Sequence, residues 1–383
     1  MAKPVTAAAP LCRSCAKQLL KAPSIRRTFA TTARQQKNGA VPTFTPTSSV
    51  ELDSILSSYR SKVFLPAHLN TAHRDLIYKT KNSSAITTEP MIITVAHEDF
   101  QLEPLNKLNE PSSRKALKKI LPLMKDPMDW RNLSSLLAGL KTASRYPKKG
   151  QLVQMARKAN EAGMQNIILN CARQVTKTGF RLKDRELVWE VIFGAHLKGQ
   201  QSGWDEEGTK KALTEAEQVL YLLEEEKHCG GSVFSDRDPR IQPEIVGLAL
   251  ELAAARATKH ANGEDADDKV ENYAAKLMTL WRNPLLQLSK DKYIANRNLT
   301  MWAPVWNGMR MSINILDKKL SGAQGKHQKV TPGLGKLEDW LKLMIQRASK
   351  EVEPLLLESR KVVLETAAGK PRRGLEIYDA LLK

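Results

Sequence analysis

The sequence predicts an all-α protein, a solenoid of helical hairpins preceded by an extended N-terminal arm. From Pro111 onward, apolar residues recur at intervals of three and four, which is the periodicity of an amphipathic helix. Three consecutive helical patterns end at Gly163, Gly179 and Gly199, and each is followed at once by another helical pattern. Because few residues connect these helices, we expect successive helices to pack antiparallel as hairpins.

The first 36 residues, 1–36, are predicted to be a mitochondrial transit peptide that is cleaved off. They contain seven basic residues and no acid, with many alanines, serines and threonines. Their apolar run is too short to span a bilayer. Arg27, Phe29 and Thr32 resemble the two-step signal for processing in the mitochondrial matrix, and the resemblance implies a final cleavage after Gln36. A basic arm that stays on the mature protein is the alternative interpretation.

Residues 37–110 are predicted to form an extended arm that contains one short helix. The stretch NGAVPTFTPTSS, residues 38–49, is rich in proline, threonine and serine, which disfavours a helix. Ser49 is a plausible cap for the short helix that follows, because apolar residues then recur at helical spacing. These apolar residues are Leu52, Ile55, Leu56 and Tyr59. Residues 90–97, PMIITVAH, form the one convincing β-rich run.

Residues 111–383 are predicted to form the helical repeat domain. Pro147 and Pro243 stand where helices are expected to begin, and Asp265 or Asp267 favours the N-terminus of a later helix. No long strand interrupts the helical pattern. The predicted helices cover approximately residues 112–125, 129–142, 151–162, 164–178, 184–198, 214–228, 243–260, 269–281, 291–320, 334–348, 351–366 and 372–382.

The charge of the chain favours a polyanionic partner. Without residues 1–36 the chain keeps 53 basic residues against 41 acids, a surplus of 12. Residues 37–200 sum to +11, residues 201–270 to −8 and residues 271–383 to +9. Two basic blocks therefore flank an acidic one. Such a surplus raises the affinity of a surface for RNA or for anionic lipid.

Three clusters of basic side chains are the candidates for contact with RNA phosphates. In the first, cations stand three and four residues apart and so lie along one side of a helix. The second forms a turn and the third precedes the last helix. The candidates are Arg114, Lys115, Lys118, Lys119, Arg145, Lys148, Lys149, Lys370, Arg372 and Arg373. A solvated helix face that keeps the protein soluble is the alternative for each cluster.

Two tryptophans are a further candidate for contact with RNA. Trp302 and Trp306 stand one helical turn apart, with Arg297 and Arg310 nearby, as in surfaces that stack on unpaired bases. Methionines surround them in the sequence, however, and favour a hydrophobic core or a protein interface.

The sequence contains no arrangement of residues that predicts catalysis, a metal or a cofactor. Cys12 and Cys15 fall within the predicted transit peptide, and the other two cysteines lie far apart. The adjacent His97, Glu98 and Asp99 are interpreted as a solvated helix start, because neighbouring positions spread around a helix axis. No phosphate loop, HExxH pair or GxSxG elbow occurs. We therefore expect neither an enzyme nor a small-molecule substrate, and no membrane span.

Two resemblances indicate a family. Residues 176–199, TKTGFRLKDRELVWEVIFGAHLKG, resemble the join of two pentatricopeptide repeats, and residues 374–382, GLEIYDALL, resemble the second helix of such a repeat; the spacing is also near that of tetratricopeptide repeats. The chain as a whole resembles mitochondria-specific subunits of mitochondrial ribosomes, particularly fungal ones. This resemblance implies a structural component in the mitochondrial matrix that binds rRNA and neighbouring ribosomal proteins, in either ribosomal subunit. The alternatives are a pentatricopeptide-like factor for mRNA translation or maturation and a respiratory-complex assembly factor.

Overall fold

A computed structural model of the chain describes residues 39–231, 235–281, 286–325, 334–366 and 372–382. The predicted processing residues Arg27, Phe29, Thr32 and Gln36 lie outside the described residues. The chain divides into two compact units. One is drawn from Met1–Pro42 and Tyr59–Pro111, and the other from Thr43–Ser58 and Ser112–Lys383.

The prediction of an all-α protein is confirmed, since helices make up most of the described chain. In chain order the helices are α1 (Val50–Tyr59), α2 (Leu65–His68), α3 (Thr71–Tyr78), α4 (Ser83–Thr88), α5 (Ser113–Leu123), α6 (Pro127–Thr142), α7 (Lys149–Glu161), α8 (Gln165–Arg173), α9 (Val175–Thr178), α10 (Arg185–Gln201), α11 (Glu206–Glu224), α12 (Pro243–His260), α13 (Lys269–Leu280), α14 (Lys292–Gly325), α15 (Leu334–Thr366) and α16 (Arg373–Leu381). The strands are β1 (Ile92–Val95) and β2 (Glu98–Gln101). A π-helical turn, Arg60–Phe64, and three short 3₁₀ turns, Thr80–Asn82, Lys107–Asn109 and Pro239–Ile241, complete the elements.

A β-hairpin in the first unit corrects the interpretation of residues 97–99. Strands β1 and β2 pair antiparallel, with Ile92 opposite Gln101. Ala96 and His97 form the turn with φ values of 48° and 73°, a left-handed conformation usually taken by Gly, Asn or Asp in hairpin turns. Because neither residue signals such a turn, the sequence showed only the first strand. Glu98 and Asp99 therefore begin a strand, and the prediction of a helix start was wrong.

Residues 43–49 run as extended chain in the second unit and are held by buried polar side chains of α6. Ser48 donates to Asp129 from its backbone N–H, at 2.8 Å, and from its hydroxyl, at 2.7 Å. Thr45 donates to Asn132 Oδ1 from its backbone N–H and from its hydroxyl, and Asn132 Nδ2 donates to the carbonyl oxygen of Thr45. Burial alone would raise the pKa of Asp129, but hydrogen bonds from Ser48 and from two backbone N–H groups outweigh it and hold the pKa below its ordinary value.

Helices of the second unit pack against their neighbours in the chain and against the next helix but one. Helix α10 packs on α11 and α12, and α14 packs on α12, α13, α15 and α16. Stacked helical hairpins pack in this order. Helix lengths nevertheless range from 4 residues in α9 to 34 in α14, and a regular repeat remains a prediction.

Several predicted helix boundaries were wrong, and α11, for example, begins at Glu206 instead of near residue 214. Gly163 and Gly179 have φ values of 73° and 75° and end their helices as expected, but α10 continues through Gly199. A Cβ on Gly199 would come within 2.9 Å of the Trp204 ring, so glycine is required there for close packing. Helix α15 also runs without a break through residues 349–350, where the sequence predicted the end of one helix and the start of the next.

Candidate nucleic-acid interface

Helix α5 presents a row of exposed lysines. Its apolar residues Ala116, Leu117, Ile120 and Leu121 are buried, and α5 packs on α7. Lys115, Lys118 and Lys119 are exposed, and none has an ion-pair partner among the described residues. Arg114 belongs to the first turn of the same helix, but its side chain lies outside the described residues. The spacing of three and four residues sets these lysines along one side of α5.

A second group of cations surrounds the start of α7, the helix on which α5 packs. Lys148 and Lys149 are exposed, and Arg145 is half-buried. Lys149 forms an ion pair with Asp184 at 2.5 Å, so part of its charge is neutralised. Both lysines stand at a helix N-terminus, whose partial positive charge already favours an anion. The α5 and α7 cations thus lie on two helices in direct contact.

Positive charge is concentrated around these helices. Residues 112–183 contain 16 Lys and Arg but only 3 Asp and Glu. Two of the three acids are engaged locally: Asp129 accepts the hydrogen bonds from Ser48, and Glu161 pairs with Lys158 at 2.6 Å. Most of the positive charge of this segment is therefore not compensated within it. We call residues 112–183 the basic segment.

The third predicted cluster is divided between different roles. Lys370 lies outside the described residues. Arg373 binds the buried carboxylate of Glu190 through two contacts, Nη2 to Oε1 at 2.5 Å and Nη1 to Oε2 at 2.9 Å. Its guanidinium also lies 4.8 Å from the ring centre of Phe193. This charge is committed inside the protein. Arg372 instead lies over the exposed ring of Tyr293, at 5.7 Å.

The tryptophans belong to the core, as the methionine-rich sequence around them favours. Trp302 and Trp306 are only 3% and 6% exposed. Trp306 stacks on Tyr378 with ring centres 6.4 Å apart, and Arg310 lies over the same indole at 4.7 Å. Neither indole is available for a base to stack upon it.

Other polar groups at the centre of the second unit are structural. His196 and Glu251 are buried and joined at 2.7 Å, and Glu251 also accepts a hydrogen bond from Asn307. This network links α10, α12 and α14. Within the described ranges, no three His, Cys, Asp or Glu side chains are grouped as metal ligands, and no helix is both long and apolar enough to cross a bilayer.

These features define a class of protein: a helical scaffold with a basic surface suited to a polyanion. Comparison with known proteins then identifies the family. The family described as "Mitochondrial ribosomal protein mS27" matches residues 27–379. Small ribosomal subunit protein mS27 of Neurospora crassa is 32% identical over 308 residues, which cover 75% of this chain and 78% of that protein. The chain therefore belongs to the mS27 family of mitochondrial ribosomal proteins.

Membership in this family confirms the resemblance to fungal mitochondrial ribosomal subunits. It also confirms that the chain is a structural ribosomal protein rather than an enzyme, and that it is mitochondrial. The sequence missed Tyr293 as a surface feature. The sequence places an aromatic residue beside Lys292, which could have indicated this surface. Only the fold brings Arg372 to the same ring.

Proposed function

We propose that this protein is a structural component of the small subunit of the mitochondrial ribosome, in the matrix, and that its basic segment contacts rRNA phosphates. The name of the Neurospora crassa relative supports the choice of subunit. The observation that carries the contact with rRNA is the presence of 16 cations against 3 acids in residues 112–183, with exposed lysines on α5 that have no ion-pair partner among the described residues.

The geometry of α5 suits a phosphate backbone. Lysines three and four residues apart are about 5–6 Å apart at their Cβ atoms, and their long side chains reach successive phosphates. The N-terminus of α7 supplies backbone N–H groups and further lysines beside them. Phosphate contacts of this kind position a protein on RNA without selecting a sequence. Such contacts fit a scaffold that holds rRNA and neighbouring ribosomal proteins in place.

The predicted leader belongs to the same proposal. Import into the matrix with removal of residues 1–36 leaves residues 37–110 as the arm and 111–383 as the helical repeat domain. Sequencing the N-terminus of the protein purified from mitochondria tests this step. A first residue at or near Lys37 is expected, and a mature protein that retains Phe29 would contradict it.

Gradient sedimentation of mitochondrial lysate tests the role in the ribosome. The tagged protein should migrate with the small subunit and move to light fractions after ribonuclease treatment. A triple variant, Lys115→Glu, Lys118→Glu and Lys119→Glu, should weaken binding to RNA and lower the salt dependence of binding by about one phosphate contact per lysine. The matched control changes Lys210, Lys259 and Lys276, which are exposed elsewhere, to Glu.

The outcomes separate the alternatives. Equal loss of RNA binding in both triple variants would show that net charge alone matters and would contradict the assignment to α5. Migration in light fractions only would contradict the ribosomal role. Selective crosslinking to one mRNA instead of rRNA would favour a transcript-specific factor.

A further inference from the structure

Tyr293 forms an exposed aromatic surface at the start of α14. Its side chain is 67% exposed, and the neighbouring Ile294 is 43% exposed. The backbone beneath it is fixed, because the N–H groups of Tyr293 and Ile294 donate to Asp291 Oδ1 at 2.7 and 3.1 Å. The phenol ring therefore projects from a rigid helix start, which reduces the entropy lost when a planar ligand stacks on it.

Two cations lie near this ring, and because Tyr293 remains 67% exposed beside them, its ring stays accessible to a base, unlike the buried indole of Trp306. Lys292 Nζ is 5.3 Å from the ring centre and Arg372 Cζ is 5.7 Å from it. Neither has an ion-pair partner among the described residues, and the buried Nε of Arg372 has no hydrogen-bond partner there. Arg297, one turn further along α14, is also exposed. Asp291, two residues before Tyr293, is engaged by the helix N–H groups.

The fold holds Arg372 in this position. The N–H of Gly374 donates to Asn296 Oδ1 at 3.0 Å, and a Cβ on Gly374 would come within 2.2 Å of the Asn296 carbonyl oxygen. The glycine thus allows α16 to approach α14 closely. One residue earlier, Arg373 is anchored by Glu190. These contacts hold the backbone that follows Arg372 and so keep its side chain within reach of the Tyr293 ring.

From this arrangement we infer that Tyr293, Lys292 and Arg372 form a binding site for an unpaired nucleotide of RNA. An exposed aromatic ring stacks on a base, and the adjacent cations bind the flanking phosphates, which is the combination found in surfaces that bind single-stranded nucleic acid. The site reads no particular base, because every base has a face that stacks. The inference rests on the proposed contact with rRNA, but it concerns a different surface from the basic segment.

Fluorescence anisotropy with two RNA probes tests the inference on the full chain. One probe is a blunt RNA duplex, and the other is the same duplex with a single-stranded overhang of five uridines. The wild-type chain should bind the overhang probe about tenfold more tightly, the gain expected from one stacked base. Tyr293→Phe should keep this gain. Tyr293→Ala and Tyr293→Leu should lose it while binding the blunt duplex normally.

A matched control comes from Tyr221. It is 71% exposed, on the acidic helix α11, so Tyr221→Ala removes an equally exposed ring and should leave the gain unchanged. If the wild-type chain binds both probes equally, the inference about Tyr293 is overturned, but the proposed contact of the basic segment with RNA is unaffected. If the wild-type chain binds the overhang probe but not the blunt duplex, the proposed phosphate-binding role of the basic segment fails, whereas the inference about Tyr293 stands. Loss of the gain in Tyr293→Phe would also overturn stacking.

Discussion

Replacing Arg373 by methionine should destabilise the second unit and loosen its last helix. Glu190 is only 1% exposed in its side chain, and Arg373 is the partner that binds both of its oxygens. Removing one partner of a buried ion pair costs about 3–5 kcal/mol, because the other charge is left buried. Arg157 remains 3.4 Å from Glu190 but is 43% exposed, so it recovers only part of this loss. We therefore expect the free energy of unfolding to fall by about 2–3 kcal/mol.

Urea unfolding measures this change, and a double-mutant cycle assigns it to the pair. Glu190→Gln removes the charge that Arg373 neutralises. The free energy of unfolding of the double variant should therefore fall by less than the sum of the two single decreases, with a coupling energy of about 1–2 kcal/mol. Hydrogen exchange should increase in α16 more than in α6, since Arg373 begins α16. A loss below about 0.5 kcal/mol for Arg373→Met, or strictly additive losses, would refute the reasoning.

Two further changes test packing and electrostatics by urea unfolding. Gly374→Ala should cost about 1–3 kcal/mol, because its Cβ would meet the Asn296 carbonyl oxygen at 2.2 Å, whereas Gly150→Ala, with open space around it, should be neutral or slightly stabilising. Ser48→Ala should cost about 1–2 kcal/mol at pH 7. Because the folded-state pKa of Asp129 is lowered, its stabilisation is present above the unfolded pKa and is lost as pH falls through the folded pKa. The cost of Ser48→Ala should shrink over the same range, and a cost independent of pH would contradict the role of the carboxylate.

The sequence predicted what depends on local periodicity. The predicted helix over 112–125 matches α5 to within two residues at its end, its lysines are exposed, and glycines with positive φ ended two helices where expected. Prediction from the sequence failed where a residue type that usually ends a helix serves instead in a close tertiary contact. Gly199 looks like a helix terminator, yet it makes room for Trp204. Residues 349–350 were predicted to separate two helices, but α15 continues through them.

The basic clusters show why residue type and spacing do not separate surface charge from internal charge. Arg372 and Arg373 are adjacent, and both were predicted to contact RNA. Arg373 is bound to a carboxylate 183 positions away in the sequence, which no local pattern reveals. The lysines of α5 have no such carboxylate partner among the described residues, so no ion pair there neutralises their charge.

Internal ion pairing and the inferred nucleotide site are physically linked. The same contact that stabilises Glu190 fixes the start of α16 and therefore the position of Arg372 over Tyr293. A variant that weakens the Arg373 anchor should then reduce the gain from a single-stranded overhang, although Arg373 itself never touches the RNA. The Arg373→Met chain, tested with both RNA probes below its unfolding midpoint, should bind the blunt duplex normally and lose part of the gain. An undiminished gain would mean that Tyr293 and Lys292 suffice without Arg372.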